Sequence, residues 1–113
     1  MFKLKTRWIK IAESRAYLLE RLGEKELIPF NLSGKAALLI LHQDSFYMVK
    51  NKCPHQGVPL TNAVCSEGHI ICPYHRYGFD LKTGRGAGLH LENYPVEERE
   101  DGIYAGVEYL SWF

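Results

Sequence analysis

The 113-residue chain has only three cysteines, Cys53, Cys65 and Cys72, and so odd and small a number does not build the disulfide framework of a secreted module. Long apolar runs are missing as well. The run Ala36–Leu41 falls far short of the roughly 20 residues a helix needs to cross a bilayer. No apolar stretch follows the basic residues of Met1–Lys10 as it would in a secretory leader. Nor does one sign of charge dominate: 14 Lys and Arg stand against 13 Asp and Glu, with no basic cluster, so nucleic acid is not the expected partner. There is no repeat, low-complexity tract or linker. Gly34-Lys35 lacks the rest of a phosphate-binding loop. No nucleophile with a base and an oxyanion pocket, and no mononuclear-iron triad, can be assembled from the residues present. These absences, with 46% hydrophobic content, predict one domain over 1–113, away from the membrane and in the cytoplasm.

What is present is a series of short strand signals separated by turns. Trp8–Ala12, Glu26–Leu32, Lys35–His42, Ser45–Lys50, His69–Ile71, Tyr94–Arg99 and Ile103–Tyr109 read as strands, several of them alternating. Asn31–Gly34, Gln43-Asp44, Glu67-Gly68 and Asp101-Gly102 read as turns between them. Glu13–Lys25 fits either a short helix stopped by Gly23 or a loop with one turn. The pattern predicts an all-β fold, a small barrel or stacked antiparallel sheets. The apolar tail Tyr109–Phe113 is expected to pack back on a sheet, with a partner contact as the alternative.

Two stretches carry the chemistry: Cys53-Pro54-His55-Gln56-Gly57 and Cys72-Pro73-Tyr74-His75-Arg76-Tyr77-Gly78. Each offers one thiolate and one imidazole, the ligand types of zinc and of iron–sulfur clusters. In common zinc modules the cysteines form one close pair and the histidines another. Here each stretch is mixed, which lets the cysteines hold one iron and the histidines a second. Pro54 and Pro73 push the preceding cysteines out of the α region, and Gly57 and Gly78 read as sharp turns beside a bulky group.

With Gln56-Gly57 and Pro59-Leu60 after the first motif, and Phe79-Asp80 and Thr83-Gly84 after the second, the sequence resembles the small Rieske-type ferredoxins over roughly 8–108. The resemblance implies three stacked antiparallel sheets with a [2Fe-2S] cluster held by two loops at one tip. It assigns Cys53 and Cys72 to one iron and His55 and His75 to the other. It also implies a soluble one-electron carrier rather than an enzyme, taking electrons from a reductase and passing them to a terminal oxygenase or another reductase. A small subunit of a larger, nitrite-reductase-like complex is the alternative, as is a structural zinc module with the same ligands. Partner identity and oligomeric state are not legible.

Departures from the family pattern matter too. Val58 and Tyr74 stand where respiratory members have a disulfide, and Arg85–His90 lacks the proline of the usual covering loop. Tyr77 and Phe79 replace the serine and tyrosine whose hydroxyls raise the potential in high-potential members, so a low-range potential is expected. His42, His69 and His90 read as surface or turn residues, and Cys65 as a small, partly buried one. Arg76 and Tyr77 are read equally as docking surface and as scaffold. The acidic run Glu97, Glu98, Glu100 and Asp101 reads as a solvated strand end.

Overall fold

The computed structural model describes residues 1–74 and 76–112. In chain order the elements are β1 (Lys3–Ala12), α1 (Arg15–Leu22), β2 (Leu27–Leu32), β3 (Lys35–His42), β4 (Ser45–Lys50), β5 (Val64–Ser66), β6 (His69–Ile71), β7 (Gly78–Asp80), β8 (Arg85–Gly86), β9 (Leu89–His90), β10 (Val96–Arg99) and β11 (Gly102–Ser111). They form three-stranded sheets ordered β1-β11-β10, β2-β3-β4 and β5-β6-β7, with a small β8-β9 ribbon, all paired antiparallel. The stacked all-β architecture expected from the sequence is present.

The middle sheet is the wall on which both cores are built. In β3, Ala37 and Leu39 face one apolar cluster with Leu18, Leu22, Met48, Tyr94 and Ile103. Leu38 and Ile40 face the other, with Val49, Leu60, Ile70, Phe79, Leu91, Cys53 and Cys72. Side chains alternate along a strand, so a strand covered on both faces needs an unbroken apolar run, and Ala36–Leu41 supplies it.

The ambiguous segment is a helix. Ser14 accepts from the Tyr17 backbone N–H at 3.2 Å at its start, and Gly23, at φ 61°, ends it with an N–H bond to the Leu19 carbonyl. Arg15 at its first turn reaches Glu98 and Asp44 at 3.0 and 2.7 Å and stacks on Phe46, tying α1 to the ends of β10 and the β3–β4 hairpin.

Strand limits shift in places. β1 begins at Lys3 rather than Trp8, because Lys3–Arg7 pair with Val107–Ser111 of β11. That pairing uses the backbone of the apolar tail, yet Leu110 and Trp112 stay exposed, with Trp112 edge-on to Phe2. β10 starts at Val96, since Tyr94 is buried in the core. Arg99 pairs with Gly102, so Glu100-Asp101 makes the last turn, one residue ahead of the Asp-Gly cue. Four other hairpins turn on two residues with positive φ: Ser33-Gly34, Gln43-Asp44, Glu67-Gly68 and Ala87-Gly88. That is the type I′ requirement for tight hairpins.

Candidate metal centre

The loop carrying Cys53 and His55 leaves β4 and crosses to β5 in a different sheet, so it is a crossover and not a hairpin tip. Val64–Ser66, which carried no clear strand signal, pairs with β6 and draws the chain across. Two backbone bonds of 2.7 Å close the loop, from Gly57 N–H to the Cys53 carbonyl and from Cys53 N–H to the Val58 carbonyl. Gly57 makes the turn at φ 70°. Asn51 spans the base: its side-chain oxygen accepts from Leu60 N–H at 2.6 Å and its amide donates to Thr61 at 3.0 Å. Its role was missed in the sequence, although Asn beside a turn signals such local bonding.

The second loop is a true hairpin tip between β6 and β7, closed by Cys72 N–H on the Tyr77 carbonyl at 2.8 Å. Arg76 takes a left-handed φ of 56° at its outer end. Gly78 does not make the turn expected of it; it sits inside β7 with an ordinary φ. Its neighbour Gly86 is the one with no room for a side chain, since a Cβ there would strike the Gly78 carbonyl. This close approach lays the β8–β9 hairpin along the second loop. The proline-free segment 85–90 is therefore a paired ribbon, and Leu89 is half-buried against the second core.

The two loops meet. Cys53 and Cys72 are fully buried, neither is in a disulfide, and their thiols are neighbours. Burial pushes the Cys72 thiol up; the Tyr74 backbone N–H opposes this, and neighbouring Cys53 adds to it. The two adjacent sulfurs lie among Leu60, Ile70, Phe79 and Leu91, and thiolate sulfur is the soft donor of iron–sulfur and zinc sites. This donor pair fits a metal–sulfur group. His55 is exposed at the same end, with its Nδ1 2.9 Å from the Gln56 amide nitrogen and its ring 4.4 Å from that of Tyr77 at 61°. His75 lies outside the described residues. Among the described residues no three His, Cys, Asp or Glu side chains gather around a point for one metal ion.

Away from this tip, His42, expected as a surface or turn residue, flanks the Gln43-Asp44 turn and is only partly exposed. Its Nδ1 lies 3.1 Å from Glu26, and its Nε2 accepts from Gly68 N–H at 3.0 Å, linking the middle sheet to the β5–β6 turn. Cys65 sits half-buried beside the same Glu26, and burial followed by that carboxylate pushes its thiol up to about 12.

A buried thiol pair and an exposed imidazole on neighbouring loops are the donor types of a mixed Cys/His metal–sulfur centre. The chain belongs to the Rieske [2Fe-2S] domain family, whose model matches residues 7–95. The family's cofactor is a [2Fe-2S] cluster. Apoptosis-inducing factor 3 of Mus musculus is 38% identical over 58 residues, 51% of this chain and 9% of that protein. The ferredoxin component of the alkene monooxygenase system of Xanthobacter autotrophicus (strain ATCC BAA-1158 / Py2) is 28% identical over 96 residues, 81% of this chain and 79% of that one. The solved ferredoxin of carbazole 1,9a-dioxygenase from Nocardioides aromaticivorans IC177 is similar at TM-score 0.69 and 25% identity, covering 87% of this chain and 95% of that one. This chain thus spans 9% of the length of the first relative and most of the other two.

Proposed function

We propose that residues 1–113 act as one Rieske domain and carry single electrons between a reductase and a terminal oxygenase or other redox enzyme. In this reading Cys53 and Cys72 hold one iron, and His55 and His75 the other. The cluster supplies a one-electron couple when bound, and the protein makes and breaks no bonds of its own. The observation that carries the reading is the division of burial at the tip: the cysteines are inaccessible while His55 is exposed. Sulfur is thereby kept from water, and an imidazole edge is offered to a partner. The similar proteins named as ferredoxin components of oxygenase systems support the choice of partners. A location in the cytoplasm is supported by three unpaired cysteines. Among the described residues no helix is long and apolar enough to cross a membrane.

A second reading, a module within a larger redox assembly, is supported by the match to a small part of a much longer protein. Isolation of a stable, reducible monomer favours the free carrier. Family membership sets aside the zinc module.

Ligation is tested by changing Cys53, His55, Cys72 and His75 singly to Ala or Ser and measuring iron, acid-labile sulfide and the visible spectrum. Each change is expected to abolish or severely deplete the cluster, while Cys65→Ser retains it. Full cluster content after losing any of the four would break the assignment.

A further inference from the structure

The formal charge of +1 conceals an uneven distribution. Between residues 45 and 91, which hold both ligand loops and the β8–β9 ribbon, five cations (Lys50, Lys52, Arg76, Lys82, Arg85) face two acids, Glu67 and Asp80. The rest of the chain has nine cations and eleven acids. Pairing sharpens the contrast. Elsewhere Lys10, Arg15 and Arg99 bind carboxylates at 2.7–3.0 Å. The five cations of the cluster half are all exposed, and among the described residues none makes an ion pair. Asp80 is turned to local use, its carboxylate accepting from the Lys82 and Thr83 backbone N–H groups at 2.8 and 2.9 Å.

Three of these cations are placed near the exposed imidazole. Lys52 immediately precedes Cys53, and its side chain lies over Gly57 of the first loop. Arg76 is at the outer end of the second loop, whose Tyr77 touches the His55 ring. Arg85 begins the ribbon pressed on Gly78 by the Gly86 contact. On the same two loops Tyr74 is 56% exposed, Pro73 is exposed and Val58 is half-buried. An aromatic and apolar centre edged by unpaired cations is the anatomy of a surface that docks a complementary, negatively charged one.

We propose that the cluster tip docks a protein partner through an acidic surface, steered by Lys52, Arg76 and Arg85. The proposal rests on the electron-carrier reading and specifies the charge of the partner. Cations gathered at one end act at short range, because the Debye length is about 8 Å at physiological ionic strength, and there the local charge outweighs the near-zero total. Three cations around an aromatic centre lack the continuous basic groove that tracks a nucleic-acid backbone.

Two measurements on the cluster-loaded protein test this. In the first, the dithionite-reduced protein gives one electron to hexacyanoferrate(III), which becomes hexacyanoferrate(II), or to hexaammineruthenium(III), which becomes the ruthenium(II) complex. No proton or ligand moves. Oxidation by the anion is expected to slow about tenfold as salt is raised from low to physiological strength, while oxidation by the cation quickens. Lys52→Glu/Arg76→Glu/Arg85→Glu should reverse both trends. Lys3→Glu/Arg7→Glu/Lys25→Glu, equal in charge change, should preserve them.

In the second, carbodiimide coupling to an octaglutamate peptide is mapped by mass spectrometry, with adducts expected on Lys52 or the nearby Lys50 and few on Lys82, Lys3 or Lys25. Salt-insensitive oxidation, equal effects of the two triple variants, or adducts spread evenly would overturn the proposal. So would tighter binding of a labelled DNA duplex than of the peptide. A protein with no cluster reducible by dithionite would instead defeat the carrier reading itself, which the absorption spectrum shows before any probe is added.

Discussion

At the scale of single residues, Cys65 is set apart from Cys53 and Cys72, the proposed ligands, by the carboxylate beside it. Cys65 neighbours the Glu26 carboxylate and a half-buried strand, so the fold favours its neutral thiol. With its value raised to about 12, roughly one Cys65 thiol in ten thousand is ionised at pH 8. Iodoacetamide is therefore expected to modify it slowly in the native protein and quickly once unfolded, as read by mass spectrometry. The same shift has a definite sign for stability. Nothing is lost below the ordinary thiol value of 9.0, and native stability falls as the pH rises from there toward about 12, where only the unfolded thiol has ionised.

Phe79 is the other telling residue, being fully buried in the core that contains both ligand cysteines. Lacking a hydroxyl, it cannot donate to sulfur, and Phe79→Tyr is expected to raise the potential. One charge-assisted hydrogen bond of about 1.5–3 kcal/mol corresponds to roughly 60–130 mV for a one-electron couple. Protein-film voltammetry at neutral pH measures it, and an unchanged midpoint with intact cluster would mean that the hydroxyl finds no sulfur.

At the scale of elements, what was legible depended on whether local chemistry or distant pairing set the outcome. β3 and β4 have the limits read from the sequence, because their apolar runs and two-residue turns are written within a few residues. The first loop was legible in part, since Gly57 makes the expected turn, whereas Gly78, read as a turn, is taken into β7 by its pairing with Ile71. β5 was not, because three residues carry no periodicity and its partner β6 alone defines it. The Asp101-Gly102 cue misled by one residue: Gly102 has φ 149° and its missing Cβ makes room for the Ala12 carbonyl, a packing reason invisible locally.

The clearest element-scale prediction concerns the ribbon beside the second loop. Gly86→Ala puts a methyl into the Gly78 carbonyl, and overpacking of this kind costs about 1–3 kcal/mol. The variant should denature at lower urea and lose iron faster to a chelator, whereas Gly88→Ala, which meets nothing within 4 Å, should be limited to the cost of its φ of 73°.

At the scale of the whole molecule, the sequence implied stacked sheets but not how they share a core. His42 and Glu26 illustrate the gap, for their bond joins segments 16 residues apart and their link to Gly68 spans 26. The burial of β3 on both faces then has a consequence for how the protein comes apart. One side of that wall is closed by α1 and the β1-β11-β10 sheet, the other by the ligand sheet with both cysteines. Stripping the iron should leave the first compartment shut and loosen only the second. Deuterium uptake is the measurement: on iron removal, the amides of β5, β6 and β7 should lose protection by orders of magnitude, while those of β11 keep it. The amides of β3, whose side chains serve both compartments, should be the last to exchange in either form, so the iron-free protein is expected to persist as a half-open body with an intact hydrogen-bonded spine.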